Sequence, residues 1–523
     1  MLGPKYRKKF STINAGIVAE IVERYLNDPE SIDESEYELL ISTFEFQPNN
    51  DQKIIGNAND KRDIAYLHAN INPLIKNDSS FNLENQGLNK IYLESIGWEF
   101  SHLRNEEEKD WLYDVVENTN ISIDEKKKIK LLERLIHVEN FEQFLHKSFV
   151  GARWYGLEGS EALIIILDEI INNFENYDTI TFGMPHRGRL NVLAHIFDKP
   201  YSEIFSEFKE ENINHMSSGN VDEYLRDVKY HLGAKKEKKS ELLLVPNPSH
   251  LEMINPVILG VTKAYQKKGR SSLGVLMHGD AAFPGEGINS ESFNLSKLEG
   301  YDSAGSIHIV TNNQLGFTTN PKDSFPLLYS TDFVRGFDIP IIHVNGDDVH
   351  SCIKAINVAV EYKKKFNKDV VVDLVAYRRF GHQEMDDPNI TQPVMYKKIK
   401  SHPTTLALYG KKLSSEGLIS SDTLQKQKSE FKEYLEKEFE TSKNYKSELK
   451  WFDGAWSRFK PGLGKDKRGV SGVKKEKIIK IGKRLSRLPN NFNVHKTLKK
   501  IFDLKYQMFE KNRRIDWSTA ESL

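Results

Sequence analysis

The chain has 523 residues, more than one ordinary hydrophobic core accommodates, so two or three domains are expected. Its 74 Lys and Arg residues against 75 Asp and Glu residues give a formal net charge of −1, which gives no reason to expect a polyanionic partner such as nucleic acid. No run of about 18 apolar residues that could span a membrane occurs, and the single cysteine, Cys352, excludes an internal disulfide and suits a reducing compartment, the bacterial cytoplasm or alternatively the mitochondrial matrix.

The first 45 residues are predicted to form helices. A basic first dozen residues has some features of a transit peptide, but we interpret it as a frayed terminus because a helical pattern begins almost at once. Ile17, Ile21, Tyr25 and Leu26 recur at helical spacing. Residues 46–88 are rich in Asn, Asp and Lys and are predicted to be a linker.

A mostly helical region is predicted over residues 89–175, and an α/β domain over residues 176–400. In the second region, short apolar runs alternate with helical segments, and the runs lack strict polar and apolar alternation. This pattern indicates a parallel sheet that is covered on both faces. The predicted strands are 179–182, 241–245, 273–277, 306–310, 340–344 and 370–376. A charged helical extension is predicted over 401–459, and a linker over 460–523.

Polar residues directly follow two of these predicted strands. The sequence HGDA occupies residues 278–281, and Asn312-Asn313 follows the next run. Both would lie at the edge where open α/β sheets bind ligands. Mg²⁺ takes oxygen ligands, so Asp280, Asn313 and a main-chain carbonyl on the following turn, assigned to Leu315, could hold one beside a diphosphate. Viewed alone, both motifs are better explained as simple turns, because Gly-Asp and Asn-Asn are common in turns.

The surrounding motifs favour the cation site over the turns. They are GMPHRGRLN (183–191), DVKYHLG (227–233), NPSHLE (247–252), NNQLGFTT (312–319) and YRRFGH (377–382). In this order they closely resemble the decarboxylating, thiamine-dependent component of the 2-oxoglutarate dehydrogenase complex, and the resemblance runs nearly end to end. It implies a parallel-sheet, transketolase-like α/β domain that binds thiamine diphosphate and Mg²⁺, with helical N-terminal regions.

The resemblance also implies roles for single residues. A 2-oxo diacid carries two carboxylates, so its pocket needs cationic or hydrogen-bonding groups, and a protonated histidine donates two hydrogen bonds. Arg378, Arg379 and His382 either bind a carboxylate or only brace the sheet. The implied catalytic residues are His186 and His231, the implied cofactor-binding residues are Arg187, Ser249, His250, Asp280, Ala281, Asn313 and Leu315, and the implied metal ligands are Asp280, Asn313 and Leu315.

The function implied is oxidative decarboxylation of 2-oxoglutarate with succinyl transfer to the lipoyl group of a dihydrolipoyl succinyltransferase core, which residues 14–40 would contact. Relatives continue past the equivalent of Leu523 into a pyrimidine-binding domain that supplies an activating glutamate. We therefore expect a split gene or a fragment, with a second polypeptide completing a homodimer or heterotetramer. A 2-oxoadipate enzyme and an inactive assembly module are the alternatives. Glu286 and an insertion at 221–226 depart from the family pattern.

Overall fold

The computed structural model describes residues 58–77, 79–83, 85–119, 122–210, 228–445 and 472–523. The chain divides into two compact units, Met1–Ser447 and Glu448–Leu523, which we describe separately. The helices predicted over 1–45, the docking surface proposed within them and the insertion at 221–226 lie outside the described residues.

A mostly parallel sheet forms the centre of the first unit. Over the described residues it has eight strands in the order β1-β7-β8-β6-β5-β2-β4-β3. The strands from β7 to β4 in this order are parallel, whereas β1 and β3 pair antiparallel at the two edges. The strands are β1 Ile96–Glu99, β2 Thr179–Gly183, β3 Ala234–Glu237, β4 Glu241–Leu244, β5 Ser272–Gly279, β6 Ser306–Asn312, β7 Ile341–Asn345 and β8 Val370–Val375. The predicted α/β fold with a parallel sheet is confirmed.

Helices cover both faces of this sheet. In the first unit they are α1 Ala58–Ile64, α2 Gln86–Tyr92, α3 Glu106–Asn118, α4 Glu125–Ser148, α5 Ala162–Asn173, α6 Arg189–His195, α7 Tyr201–Glu210, α8 Ile254–Lys267, α9 Ala282–Gly285, α10 Gly287–Ser296, α11 Pro321–Ser324, α12 Val349–Phe366, α13 Pro393–Ser401, α14 Thr405–Ser415 and α15 Ser421–Ser442. Successive residues of a strand point to opposite faces. Accordingly, Val275 and Met277 join the large core with α4, α5 and α12, whereas Leu276 packs with Ile254 and Ile258 of α8. Apolar residues on both faces explain why the strands read as continuous apolar runs.

The six strands expected from the sequence are all present, and two edge strands were not expected. The strand β1 lies inside a region predicted to be helical, because four residues that are buried throughout give no period-2 signal. The strand β3 lies in a lysine-rich stretch, and its side chains alternate between half-buried and exposed. Short charged strands are typical of sheet edges, where they discourage further pairing.

The structure differs from the linker expected over residues 46–88. Its described part contains α1, a 3-10 helix at Ala65–His68 and α2, and Ala65 and Ile71 are buried. The asparagines that suggested a linker instead bond to the backbone. Asn70 donates from Nδ2 to the Leu93 carbonyl at 3.1 Å, and its Oδ1 accepts from the Asn77 N–H at 2.9 Å. Polar composition here reflects side chains that satisfy turns.

The second unit is helical in its described part, where a linker was expected. It contains α16 Lys475–Leu485, α17 Lys496–Glu510 and α18 Trp517–Ser522. The Phe509 ring packs directly on Gly482, and Arg487 donates to the Tyr506 hydroxyl at 3.3 Å. These contacts join α16 to α17 as a helical hairpin. Among the helices of the described residues in both units, none combines the length and apolar character needed to cross a bilayer.

Candidate active site at the carboxyl edge of the sheet

Five of the parallel strands end beside one another, and each is followed by one of the motifs singled out from the sequence. Strands β2, β4, β5, β6 and β8 are contiguous in the sheet order. Their C-termini therefore lie along one edge, which is where ligands bind in sheets of this kind. Residues 184–188, 247–250, 280–281, 313–315 and 378–382 follow these ends.

The two halves of the predicted cation site touch each other. Gly279 pairs with Thr311 in register, so Asp280 and Asn313 leave neighbouring strands at the same level. The Asp280 carboxylate accepts the backbone N–H of Asn313. A Cβ at Gly316 would lie only 2.6 Å from the Cβ of Ala281, so the second turn fits against the first only with glycine there.

Two buried oxygen-bearing side chains lie together at this point. Asp280 is 3% exposed, and burial raises the pKa of its carboxyl to about 7, with Asp373 adding to the rise. The Oδ1 atom of Asn313 is buried, and no donor among the described residues reaches it. An ionised carboxylate beside an unpaired amide oxygen fits a hard cation. Buried Leu315 follows on the same turn, with its carbonyl as the predicted third ligand.

No cluster of three or more His, Cys, Asp or Glu side chains that could hold a metal occurs within the described ranges. A cation here would therefore depend on the mixed set of Asp280, Asn313 and a main-chain carbonyl, together with oxygens of its ligand. That composition suits Mg²⁺, which keeps several positions for phosphate and water. Zinc prefers nitrogen and sulfur ligands.

A buried hydrogen-bonded chain supports the strand that carries Asp280. His278 Nδ1 lies 2.7 Å from a Glu252 carboxylate oxygen, and its Nε2 lies 3.0 Å from His308 Nδ1. All three side chains are buried. Glu252 belongs to the NPSHLE motif and has a positive φ of 65°. These hydrogen bonds fix the loop after β4 to the end of β5, which keeps the edge of the sheet rigid.

Two arginines, half-buried Arg187 and buried Arg378, lie near the predicted cation site. Arg187 donates to the Gly156 carbonyl at 3.1 Å and to the His382 carbonyl at 2.6 Å. Arg378 is 4% exposed and donates to the Phe317 carbonyl at 3.0 Å. Burial and the charge of Arg378 together lower the pKa of Arg187 to about 10. Two like charges within electrostatic reach of each other, one buried and one half-buried, favour an anion at this place.

Three histidines lie within electrostatic range of the arginines or of one another. The ring centroids of His186 and His382 lie 6.2 Å apart, and His231 is buried and within electrostatic range of His186. Burial and the charge of Arg187 together lower the pKa of His186 to about 3 and that of His382 to about 4. These shifts favour the neutral form of both histidines in the ligand-free protein. Neutral His186 offers one donor and one acceptor.

The structure separates the remaining candidates. Arg379 bonds to the Tyr377 hydroxyl at 2.6 Å and to the His402 carbonyl, so it braces the helices beyond β8. Ser249 and His250 lie on an exposed turn after β4. Exposed Glu286 stands at the start of α10. The roles of Ser249 and His250 in binding a cofactor stay predictions.

Two aromatic residues were missed by the sequence analysis. The Tyr155 ring lies 4.2 Å from the His186 ring, and the Phe317 ring lies 4.7 Å from the His382 ring, between centroids. Both residues have positive φ, 55° and 57°. Aromatic residues rarely adopt this conformation, and such strain often marks functional sites. A backbone angle leaves no signature in sequence, so only the structure could find them.

Comparison with known proteins agrees with this geometry. The dehydrogenase E1 component family matches residues 141–449, which include every motif at the carboxyl edge. The chain is 42% identical to the 2-oxoglutarate dehydrogenase E1 component of Geobacillus sp. (strain WCH70) over 83% of this chain and 48% of that protein. It is 36% identical to the protein of the same name from Bacillus licheniformis over 99% of this chain and 63% of that protein.

A protein of that name from Bacillus cereus (strain AH820) is 40% identical over 83% of this chain and 47% of its own length. The chain thus spans about half to two thirds of the length of these curated relatives. Because the family match extends over more than half of the chain, this protein belongs to the dehydrogenase E1 component family, whose members depend on thiamine diphosphate.

Proposed function

We propose that this chain binds thiamine diphosphate through Mg²⁺ and serves the oxidative decarboxylation of 2-oxoglutarate, with succinyl transfer to the lipoyl group of a dihydrolipoyl succinyltransferase. The observation that carries the proposal is the meeting of the buried Asp280 carboxylate and the unpaired Asn313 oxygen with two arginines and three histidines at one edge of the sheet. The names of the bacterial relatives support 2-oxoglutarate as the substrate. The bacterial cytoplasm is the proposed location.

In this proposal the cation joins the protein to the diphosphate. Asp280 supplies the charge, and Asn313 and the Leu315 carbonyl supply neutral oxygens. Arg187 has donors beyond the two that bond to carbonyls, so its guanidinium can also bind a phosphoryl oxygen. When bound, thiamine diphosphate supplies the carbon nucleophile and accepts the electron pair left by the loss of CO₂.

The histidines are proposed to hold the substrate. A 2-oxo diacid brings two negative charges into a pocket where His186 and His382 are neutral. Those charges favour the protonated forms, so we expect the pocket to take up a proton as the diacid binds. His186 and His231 would then donate to the distal carboxylate. A monocarboxylate such as pyruvate would leave a buried donor unpaired, which costs about 1–3 kcal/mol.

The partners follow from the same proposal. Residues 14–40, outside the described part of the chain, are proposed to bind the acyltransferase core through Ile17, Ile21, Tyr25 and Leu26. Deleting residues 1–45 should abolish co-purification with that core while the remaining protein still folds. Undiminished co-purification of the shortened protein would show that the contact lies elsewhere.

The catalytic proposal is tested by ferricyanide reduction with 2-oxoglutarate or pyruvate. The chain is assayed alone and together with a polypeptide that covers the part of the Bacillus licheniformis relative that it does not match. We expect a preference for 2-oxoglutarate that His231→Ala removes. His495→Ala, at an exposed histidine of the second unit, is the control and should leave the preference unchanged. Equal use of both oxo acids by the wild type would count against the proposal.

A further inference from the structure

One carboxylate holds the backbone on both sides of Tyr155. Glu384 accepts the N–H of Trp154 at 3.0 Å with one oxygen and the N–H of Gly156 at 2.8 Å with the other. We call this arrangement the carboxylate clamp. Bonds from backbone N–H groups to an ionised carboxylate are stronger than bonds between neutral groups.

The residue between the two clamped amides is in a costly conformation. Tyr155 has φ 55°, and its carbonyl accepts from the Gly188 N–H at 2.8 Å. A bulky residue in the left-handed region loses on the order of 1 kcal/mol or more, so other contacts must hold it there. The clamp and the bond from Gly188 are such contacts. Both come from loops at the carboxyl edge.

The strained conformation brings the Tyr155 ring into the substrate region. The ring lies 4.2 Å from His186, 5.6 Å from His382 and 5.0 Å from Tyr230, measured between centroids. Tyr155 therefore packs at a tilt of 50° against His186, the histidine that is proposed to bind the diacid. A ring packed on His186 restricts the directions in which the imidazole can donate and accept.

The clamp also links two parts of the site that are far apart in the chain. Glu384 lies two residues after His382, whose carbonyl accepts from Arg187 at 2.6 Å. Glu384 is also within electrostatic range of Arg187, and its negative charge favours the charged form of this half-buried guanidinium. The loop after β8 and the loop before α5 are thereby fixed to each other through one side chain.

We infer that Glu384 is a positioning residue, which holds Tyr155 against His186 and so shapes the wall of the pocket where the distal carboxylate of the diacid lies. This inference rests on the proposed function for the identity of the ligand. The mechanical part, that Glu384 acts on His186 through Tyr155, depends only on the contacts above.

The mechanical part is tested without substrate by the rate at which diethyl pyrocarbonate modifies His186, followed by mass spectrometry of the peptide. An amide at position 384 can accept only one of the two N–H groups. Glu384→Gln should therefore raise the rate roughly fivefold, the effect of losing one such hydrogen bond. Tyr155→Ala should raise it similarly, and the double variant no further. Tyr155→Phe should keep the protection, because the ring remains.

Asp387→Asn is the matched control, because it removes one negative charge from the same loop. Asp387 is exposed and bonds only within its own turn, to the Asn389 N–H at 3.0 Å and to the Asn389 side chain. In Asp387→Asn, His186 should be modified at the same rate as in the wild type. Glu384→Asp keeps the charge but withdraws the oxygens by one methylene, so it should behave like Glu384→Gln. Thermal unfolding identifies any variant that is not folded.

An unchanged rate in both Glu384 variants would overturn the inference. So would a double variant whose rate is the product of the single effects, because independent effects multiply when the residues do not act through each other. The ligand is tested separately. If 2-oxoglutarate with thiamine diphosphate and Mg²⁺ fails to protect His186 in the wild type, the proposed function fails while the coupling between Glu384 and Tyr155 stands.

Discussion

Asp280→Asn should stabilise the ligand-free protein and abolish its response to the cation. Burial raises the pKa of Asp280 from 3.8 to about 7, and at about 1.4 kcal/mol per pKa unit the ionised carboxylate costs about 4 kcal/mol of folding free energy. Because the carboxyl pKa is higher in the folded protein, the protonated carboxyl contributes to the free energy of unfolding. This contribution is fully present below about pH 3.8 and is lost as the pH rises through about 7. At pH 8, therefore, the neutral amide of the Asp280→Asn variant removes the free-energy cost of the buried carboxylate. The wild type offsets this cost only by binding a cation.

The assay is urea unfolding at about pH 8, with and without Mg²⁺ and thiamine diphosphate. Without ligands, Asp280→Asn should unfold at a higher urea concentration than the wild type. With ligands, the wild type should gain stability by mass action and the variant should not. Asp387→Asn, an equal charge change on an exposed loop, should follow the wild type in both conditions. If the ligands stabilise wild type and Asp280→Asn equally, Asp280 is not a ligand of the cation.

Three further predictions follow from particular contacts. Gly316→Ala should weaken the binding of Mg²⁺ and thiamine diphosphate about tenfold in calorimetry, because overpacking against the Cβ of Ala281 costs about 1–3 kcal/mol, and adding Ala281→Gly should recover part of the loss. Burial opposes the charge of His343, but the carboxylates of Asp373 and Glu99, at 2.8 Å and 2.9 Å, raise its pKa to about 9. About 3 kcal/mol of stability should thus be present below about pH 6.5 and be lost as the pH rises through about 9; constant stability over this range in urea unfolding would refute the buried imidazolium. Binding of 2-oxoglutarate at about pH 7 should take up protons, seen as a dependence of the calorimetric enthalpy on the buffer's ionisation enthalpy, and no such dependence would mean that the histidines stay neutral.

The parallel strands and the meeting of Asp280 with Asn313 at one edge could be predicted because their signals are local. Buried strands are apolar runs, and Gly, Asp and Asn at the ends of such runs mark turns at the carboxyl edge. Asp280 and Asn313 are buried and adjacent, as their positions after β5 and β6 predicted. Their roles as ligands stay a prediction.

Other features depend on distant contacts or on backbone angles. Tyr155 lies at the site because its backbone has a positive φ and because a carboxylate more than 200 residues away in the chain holds that backbone. The charge state of His186 is set by burial and by neighbouring arginines, neither of which a motif reveals. Arg378 and Arg379 are adjacent in sequence, yet one lies at the site and the other braces helices. The sequence alone left both possibilities open for each of them.

The most direct test of the central claim is an anomalous difference map from crystals grown with Mn²⁺ and thiamine diphosphate. Mn²⁺ takes the same oxygen ligands as Mg²⁺ and scatters anomalously. We expect a single strong peak between the Asp280 carboxylate and the Asn313 amide oxygen, with the diphosphate beside it on the side of Arg187. A peak at any other place on the chain, with none between Asp280 and Asn313, would contradict the assignment of this edge of the sheet as the cofactor site.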